Sequence, residues 1–433
     1  MAIQALLVIL AVLLVLLFLG VPISYAIAVS SLTAILSSID LNVAVLTAAQ
    51  RTFVGMSKFS LTAIPFFILA GNIMNQGGIA KRLVDFVMSI LGKLPGALLI
   101  TNIGTNALFG AISGSASAAA AAVGSMIRDG AEEQGYDPAV TAATNAASSC
   151  SGLLIPPSNA LITYSLASGG TSVAALFMAG YVPGIIWALA CAVVGVILAK
   201  KLGYKGTPGK FDWKNLGVCT LRALPSLSLI IVVIGGIVGG VFSATEGSAI
   251  AVVYALILAF CYRSINLKSL WKIIVDSAKM SGMVVFLVGV SNILGWVMAF
   301  LQIPDAVAAA LLSLTSNKYI ILLIMNVILL VAGTFMDVTP AILIFTPLFL
   351  PICQSFGMHP IHFGLILVYN LCIGNITPPV GNALFVGIKV GRTSLEKILP
   401  YMLMYYVAII GGLLLVTYIP AVSMALPQLT GLV

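Results

Sequence analysis

The chain has 433 residues, of which 61% are hydrophobic and only 7% charged, and its formal charge is +8. Soluble domains carry about 25% charged residues, so water is not the solvent for most of this surface. No basic run exceeds two residues. The excess of Lys and Arg therefore points to loops at a membrane surface, where such residues collect, and excludes a nucleic-acid partner.

Taken in chain order, the apolar segments are long. No Asp, Glu, Lys or Arg occurs from Met1 to Ile39, from Pro138 to Ala199, or from Val338 to Ile388. A crossing takes about 20 apolar residues, so each stretch holds at least one. Unbroken runs of this kind are unlike the short alternation of barrel strands, and the class is an all-α polytopic membrane protein. The first segment, Ala2 to Leu19, lacks a basic start and reads as a retained helix, not a signal peptide.

In the first half the expected helices lie near 3–19, 21–38 and 59–76. They are followed by a segment near 95–128, a broken helix near 137–168 and a helix near 172–200. In the second half they lie near 222–242, 247–262, 280–300, 318–350, 361–388 and 398–418. Short amphipathic stretches at 41–57, 79–93 and 266–279 read as helices along the interface. The domains follow: a first repeat over 1–201, a cytoplasmic linker at 202–216 with Gly203, Gly206, Pro208 and Gly209, and a second repeat over 217–433.

An internal repeat supports this division. Gly152-Leu-Leu-Ile-Pro-Pro-Ser158-Asn159-Ala-Leu recurs as Gly374-Asn-Ile-Thr-Pro-Pro-Val380-Gly-Asn382-Ala-Leu. Upstream stand Gly110-Ala-Ile-Ser-Gly-Ser-Ala-Ser117 and Gly333-Thr-Phe-Met-Asp-Val-Thr339, 46 and 45 residues before the first Pro of each pair. If segments 95–128 and 318–350 are re-entrant hairpins, each half crosses five times, so the two repeats are inverted. With both termini in the periplasm, 17 of the 20 basic residues fall in cytoplasmic loops, and only Arg51, Lys58 and Lys318 lie outside. That bias agrees with the positive-inside rule. Lys81-Arg82 and Lys200-Lys201 read as orientation signals.

Inverted repeats with interrupted helices are a recurring plan of secondary transporters. Pro156-Pro157 and Pro378-Pro379 lack N–H donors and break their helices. The freed carbonyls survive at membrane depth only where protein, water or an ion satisfies them, and they suit a hard cation such as sodium. The alternative is that the Pro pairs only kink helices and that the Gly/Ala/Ser segments are close-packing surfaces. Recurrence of both motifs at matched spacing favours the transport reading, while the Ala118–Ala122 run is left to close packing. Asp337 stands alone between long uncharged stretches, and an intramembrane acid is a functional hypothesis by default; capping of a half-helix by a protonated acid is the alternative. Glu246 is expected to cap a helix at the interface. His359 and His362 are expected in a periplasmic turn, meeting water. The six cysteines, Cys150, Cys191, Cys219, Cys261, Cys353 and Cys372, show neither metal spacing nor a disulfide framework and read as packing residues.

At these residues the sequence resembles the large membrane subunits of the TRAP (tripartite ATP-independent periplasmic) transporters. The resemblance is carried by Ile64-Pro-Phe-Phe-Ile-Leu-Ala-Gly71-Asn-Ile-Met, Gly114-Ser-Ala-Ser-Ala-Ala, Leu154-Ile-Pro-Pro-Ser158 and Thr245-Glu246-Gly-Ser-Ala. It continues in Phe335-Met-Asp337-Val-Thr-Pro340, Phe363-Gly364 and Ile376-Thr-Pro-Pro-Val-Gly381-Asn382. One departure is Ser243-Ala-Thr-Glu-Gly, where the family more often has Thr-Pro-Thr-Glu-Ala. The resemblance implies a multi-pass protein of the bacterial inner membrane with an elevator-type, ion-transporter-like fold. It also implies two partners, a small membrane subunit and a periplasmic substrate-binding protein, and sodium ions as coupling ions with no other cofactor. The separate-subunit form is the closer match.

The substrates implied are small organic anions: sialic acid or another sugar acid, preferred here, or a C4-dicarboxylate. Carried onto this chain, one sodium site would use Ser113, Ser115, Gly152, Ile155 and Pro157. The second would use Gly333, Met336, Gly374, Thr377 and Pro379. Substrate would lie near Ser115, Ser158, Asn159, Asp337 and Asn382. A free-standing sodium- or proton-coupled anion carrier shares these sites but needs no binding protein. A passive channel would give sodium-independent flux. An intramembrane protease needs a facing acid pair or a Ser–His pair at depth; Asp337 has no acidic mate, so the chain is not read as an enzyme.

Overall fold

The computed structural model describes residues 2–206, 212–315 and 317–433, and among these every regular element is a helix. In the first half, α1 (Ala2–Phe18), α2 (Ile23–Ile35) and α3 (Leu41–Met56) lead through a 3-10 turn at Phe59–Thr62 into α4 (Ala63–Gln76) and α5 (Ile79–Leu91). The first hairpin is α6 (Ala97–Ser113) and α7 (Ala116–Glu133). The first broken helix is α8 (Pro138–Ser149), the single turn α9 (Ser151–Leu154) and α10 (Asn159–Ala167), and α11 (Val173–Leu202) closes the half. The second half begins with α12 (Trp213–Val238), α13 (Ala244–Cys261), α14 (Leu267–Phe300) and α15 (Ile303–Leu314). Its hairpin is α16 (Lys318–Phe335) and α17 (Val338–Ser355), and its broken helix α18 (Pro360–Gly374) and α19 (Asn382–Val390). It ends with α20 (Leu395–Tyr418) and α21 (Ala421–Leu429).

Polarity runs inside out. On α11, Ile185, Leu189, Val193 and Ile197 are exposed at four-residue intervals, while Trp187, Cys191, Val194 and Leu198 are buried. Spacing of four keeps one side chain above the next, so the exposed row is a continuous lipid-facing stripe. The interior holds amides and hydroxyls that pair with one another. Buried Asn106 donates to Asn145 Oδ1 at 3.1 Å and to Ser148 Oγ at 2.8 Å; in the second half Asn370 donates to Asn326 Oδ1 at 3.0 Å. Among the described residues, seven helices are long and apolar enough to cross a bilayer. The α3–α4 unit, bent by 60°, passes the same test as a pair. The fold is an all-α polytopic membrane architecture in which each half carries a helical hairpin followed by a broken helix.

Packing divides the helices into two bodies. α4 lies against α13 and α14, α3 and α2 lie against α14, and α5 lies between the two bodies, against α12 on one side and α6 and α7 of the first hairpin on the other. The hairpins, broken helices, α11, α20 and α21 pack mainly on one another, through α6 with α8 and α9, α16 with α18, and α11 with α20 and α21.

Several expectations change. Segments 266–279 and 280–300 are one helix of 34 residues, not an interfacial helix followed by a span. Asn266 and Ser269 form a capping box at its start, and no Gly-Pro signal interrupts it afterwards. At 1.5 Å per residue it is about 50 Å long, so its first turns, with Lys268 and Lys272, extend beyond a hydrocarbon core of about 30 Å. Helices α15 and α21 were not expected. α21 is the reason His362 does not meet water: it is 3% exposed, and its Nδ1 lies 2.6 Å from Ser423 Oγ. His359 is exposed as expected and caps α18, its Nδ1 accepting from Ile361 N at 3.3 Å. Glu246 caps as expected: Ser243 N donates to its carboxylate at 2.7 Å in a reciprocal capping box. Five cysteines are buried and Cys261 is exposed. The linker narrows to the stretch between Leu202 and Trp213, and Pro208, Gly209 and Lys210 lie outside the described residues.

Candidate functional site

Each hairpin reverses over two residues. In the first, Gly114 adopts φ +62°, a conformation that costs glycine little, and Ser115 is extended and caps α7, accepting from Ala118 N at 3.3 Å. In the second, Met336 and Asp337 are both extended, and Asp337 stands at the cap position of α17 without a side-chain capping bond.

Each tip reaches the break in its own half. Both Pro-Pro bonds, Pro156-Pro157 and Pro378-Pro379, are cis. Asn159 Nδ2 donates to Gly114 O at 3.4 Å, joining the first tip to the first break. Val380 N donates to Thr334 O at 3.1 Å, joining the second tip to the second break. Two glycine pairs make this approach possible. A Cβ on Gly152 would lie 2.1 Å from Gly110 Cα, and one on Gly374 would lie 2.4 Å from the Gly333 carbonyl carbon. The two breaks also touch each other, since Asn375 Nδ2 lies 3.9 Å from Cys150 Sγ.

A cavity of about 160 Å³ lies where these parts meet. It is lined by the first tip (Gly114 to Ser117), the second tip (Asp337 to Thr339), Asn159 and Thr163 of α10, and Asn375. Ile64 and Ile68 of α4 and Met280 and Val284 of α14 form the wall from the other body. Hydroxyls, amides and one carboxylate therefore face an apolar wall, which is the composition of a small-solute site.

Of the expected substrate residues, Ser115, Asn159 and Asp337 line this cavity. Ser158 is fully buried and caps α10: its hydroxyl donates to Leu153 O and accepts from Leu161 N at 3.3 Å. Asn382 is exposed at the start of α19, outside the lining. The reading of the sequence missed Asn375, although it directly follows Gly374 in the repeated motif, and it missed Thr163, which no motif marks.

The expected sodium residues fall in two clusters. Ser113 Oγ lies 3.4 Å from Ser115 O beside the Gly110–Gly152 contact, and Ile155 and Pro157 sit in the break that follows. In the second cluster Thr377 Oγ1 donates to Ile373 O at 2.7 Å, beside the Gly333–Gly374 contact, with Met336 at the tip and Pro379 in the break. The helix ends and breaks supply carbonyl and hydroxyl oxygens, the donors a hard cation takes.

Two broken helices and two hairpins converging on one cavity define a multi-span membrane transport protein. Residues 10–422 match the family described as "Tripartite ATP-independent periplasmic transporter, DctM component", and the chain belongs to that family. It is 50% identical over 410 residues to the uncharacterized protein YgiK of Salmonella typhimurium, covering 95% of this chain and 94% of the relative. It is 38% identical over 408 residues to the C4-dicarboxylate TRAP transporter large permease protein DctM of Pseudomonas aeruginosa, covering 93% of each. It is also 38% identical over 406 residues to the isethionate TRAP transporter permease protein DctMQ of Oleidesulfovibrio alaskensis; that match covers 94% of this chain but 64% of the relative. The fold is similar to the crystal structure of the Alcanivorax borkumensis YdaH transporter, with a TM-score of 0.65 at 15% identity over 88% of this chain and 89% of that one.

Proposed function

We propose that this chain is the large transmembrane subunit of a sodium-coupled importer of a small organic anion in the bacterial inner membrane. The observation that carries the reading is the convergence of both tips, Asn159 and Asn375 on one cavity, with the two oxygen-rich clusters beside it. Sodium ions bound at the clusters would offset the charge of an anion held between the tips, and would offset Asp337 as well. The substrate is a sialic acid or other sugar acid, or a C4-dicarboxylate. It is delivered by a periplasmic binding protein, and a small membrane subunit completes the transporter. The division into two bodies supports an elevator motion, with hairpins and broken helices moving against α1–α4 and α12–α14.

Vesicles holding this chain and its small partner are expected to stay nearly inactive until the loaded binding protein is added. Full uptake of free substrate in its absence would make the chain a free-standing carrier and overturn the three-part reading.

A further inference from the structure

A second crevice, of about 370 Å³, lies beyond the central cavity. Its walls come from the end of α3, the end of α10, the C-terminal part of α14 and the middle of α17. Three of these helices also line the central cavity. On α10 the cavity lining ends at Thr163 and the crevice lining begins at Leu166; on α14 the step is from Val284 to Val288, and on α17 from Thr339 to Leu343. Steps of three or four residues are about 5–6 Å along a helix, so the two spaces are stacked one turn apart on three walls at once. All three steps run toward the C-terminal end of their helix. In the orientation set by the basic loops, that direction is outward for each of them.

The rim of this crevice is cationic. Arg51 and Lys58 line it, and no carboxylate does. The Arg51 guanidinium lies 5.7 Å from the centroid of the Trp296 ring, which fixes it against the far wall. Neither residue is ion-paired among the described residues, where the only salt bridges are those of Arg128. Lys and Arg are depleted on the outer side of membrane proteins. Two of the three that fall there in this chain nevertheless meet at one opening, one turn above the polar cavity.

We propose that this crevice is an outer capture site for small organic anions, with Arg51 and Lys58 as its binding groups, and that it is the entrance to the central cavity. The inference rests on the orientation and anion-transport reading given above. A cleft with low-dielectric walls and one sign of charge raises the local concentration of the opposite ion. The pair therefore attracts a carboxylate or sulfonate at the mouth. Ser291 and Asn292, on the α14 wall, lie along the way inward.

The test reads local potential and access without needing the substrate. Ala167→Cys, on the α10 wall, is placed in a Cys261→Ser background to remove the exposed native thiol, and the full chain is reconstituted in phosphatidylcholine vesicles. Val54→Cys, on the opposite wall, serves as a second reporter should the first perturb folding. Anionic and cationic methanethiosulfonates are then added from the outer side. The anionic-to-cationic rate ratio, normalised to that of a free thiol in solution, is expected to be about ten. The ratio should fall to near one in Arg51→Gln/Lys58→Gln and at high salt, and succinate should slow the reaction more than chloride of equal ionic strength. Labelling from outside with no charge preference, or with a preference that survives the double variant, would overturn this inference alone. A preference abolished by phosphatidylglycerol and untouched by succinate would assign the rim to lipid headgroups and overturn it too. Labelling from the cytoplasmic side only would overturn both this inference and the orientation beneath it.

Discussion

Asp337 is exposed at the second tip, facing a cavity whose other polar groups are neutral. An ionised carboxylate at membrane depth costs several kcal/mol unless a cation or donors face it. Asp337→Ala is expected to abolish uptake while the protein still inserts and assembles. Asp337→Asn keeps part of the hydrogen bonding and loses the charge, so residual uptake with altered sodium dependence is expected. Wild-type rates in both variants would make Asp337 structural. The glycine contacts give a second residue-scale prediction. Gly374→Ala places a methyl against the Gly333 backbone, which cannot swing aside like a side-chain tip. Such overpacking costs roughly 1–3 kcal/mol, so a lowered melting temperature in detergent and lost uptake are expected together. An unchanged melting temperature would mean that the tip and the break separate freely. The lone acid and the repeated glycines were legible in the sequence. The burial of His362 was not, because it depends on a helix some 60 residues away.

Among the elements, the first tip combines two tasks in one residue. Ser115 caps α7, and a lost cap costs about 1 kcal/mol. If its oxygens also hold sodium, Ser115→Ala should raise the sodium concentration for half-maximal uptake several-fold, beyond what the small stability loss explains. Ser115→Thr keeps a hydroxyl and should restore most of it. Unaltered sodium dependence in Ser115→Ala would remove this residue from the ion site. Most element boundaries followed from local chemistry: Asp137 and Pro138 start α8, Ser172 starts α11, and Ser243 with Glu246 starts α13. Helix α14 was misread because its basic first turns look interfacial in isolation. Only the uninterrupted helix from Leu267 to Phe300 shows that they are the membrane-surface extension of a span.

For the whole molecule, the uneven distribution of Lys and Arg predicts the orientation. Cysteine labelling is expected to place the segment between α11 and α12 in the cytoplasm and both termini in the periplasm. Periplasmic labelling of that segment would invert the assignment and end the argument that the hairpins enter from opposite sides. The two bodies meet at the central cavity, with α4 and α14 on one side and the tips and α10 on the other. A motion of one body against the other would therefore open and close the site itself.

The sequence by itself determined the membrane class, the duplication, the broken helices and the family. Each of these is written in short-range or periodic signals: uncharged length, Pro pairs and motifs at matched spacing. Tertiary structure alone decided which polar residues share a cavity. Ser158 and Asn159 are adjacent in the chain, yet Ser158, extended at the cap position, turns its hydroxyl back onto the backbone of the break and of α10, while Asn159, the first helical residue, lines the cavity. Arg51 and Trp296 are 245 positions apart and meet only because α3 packs across α14. Contacts of that kind leave no periodic trace in a single sequence.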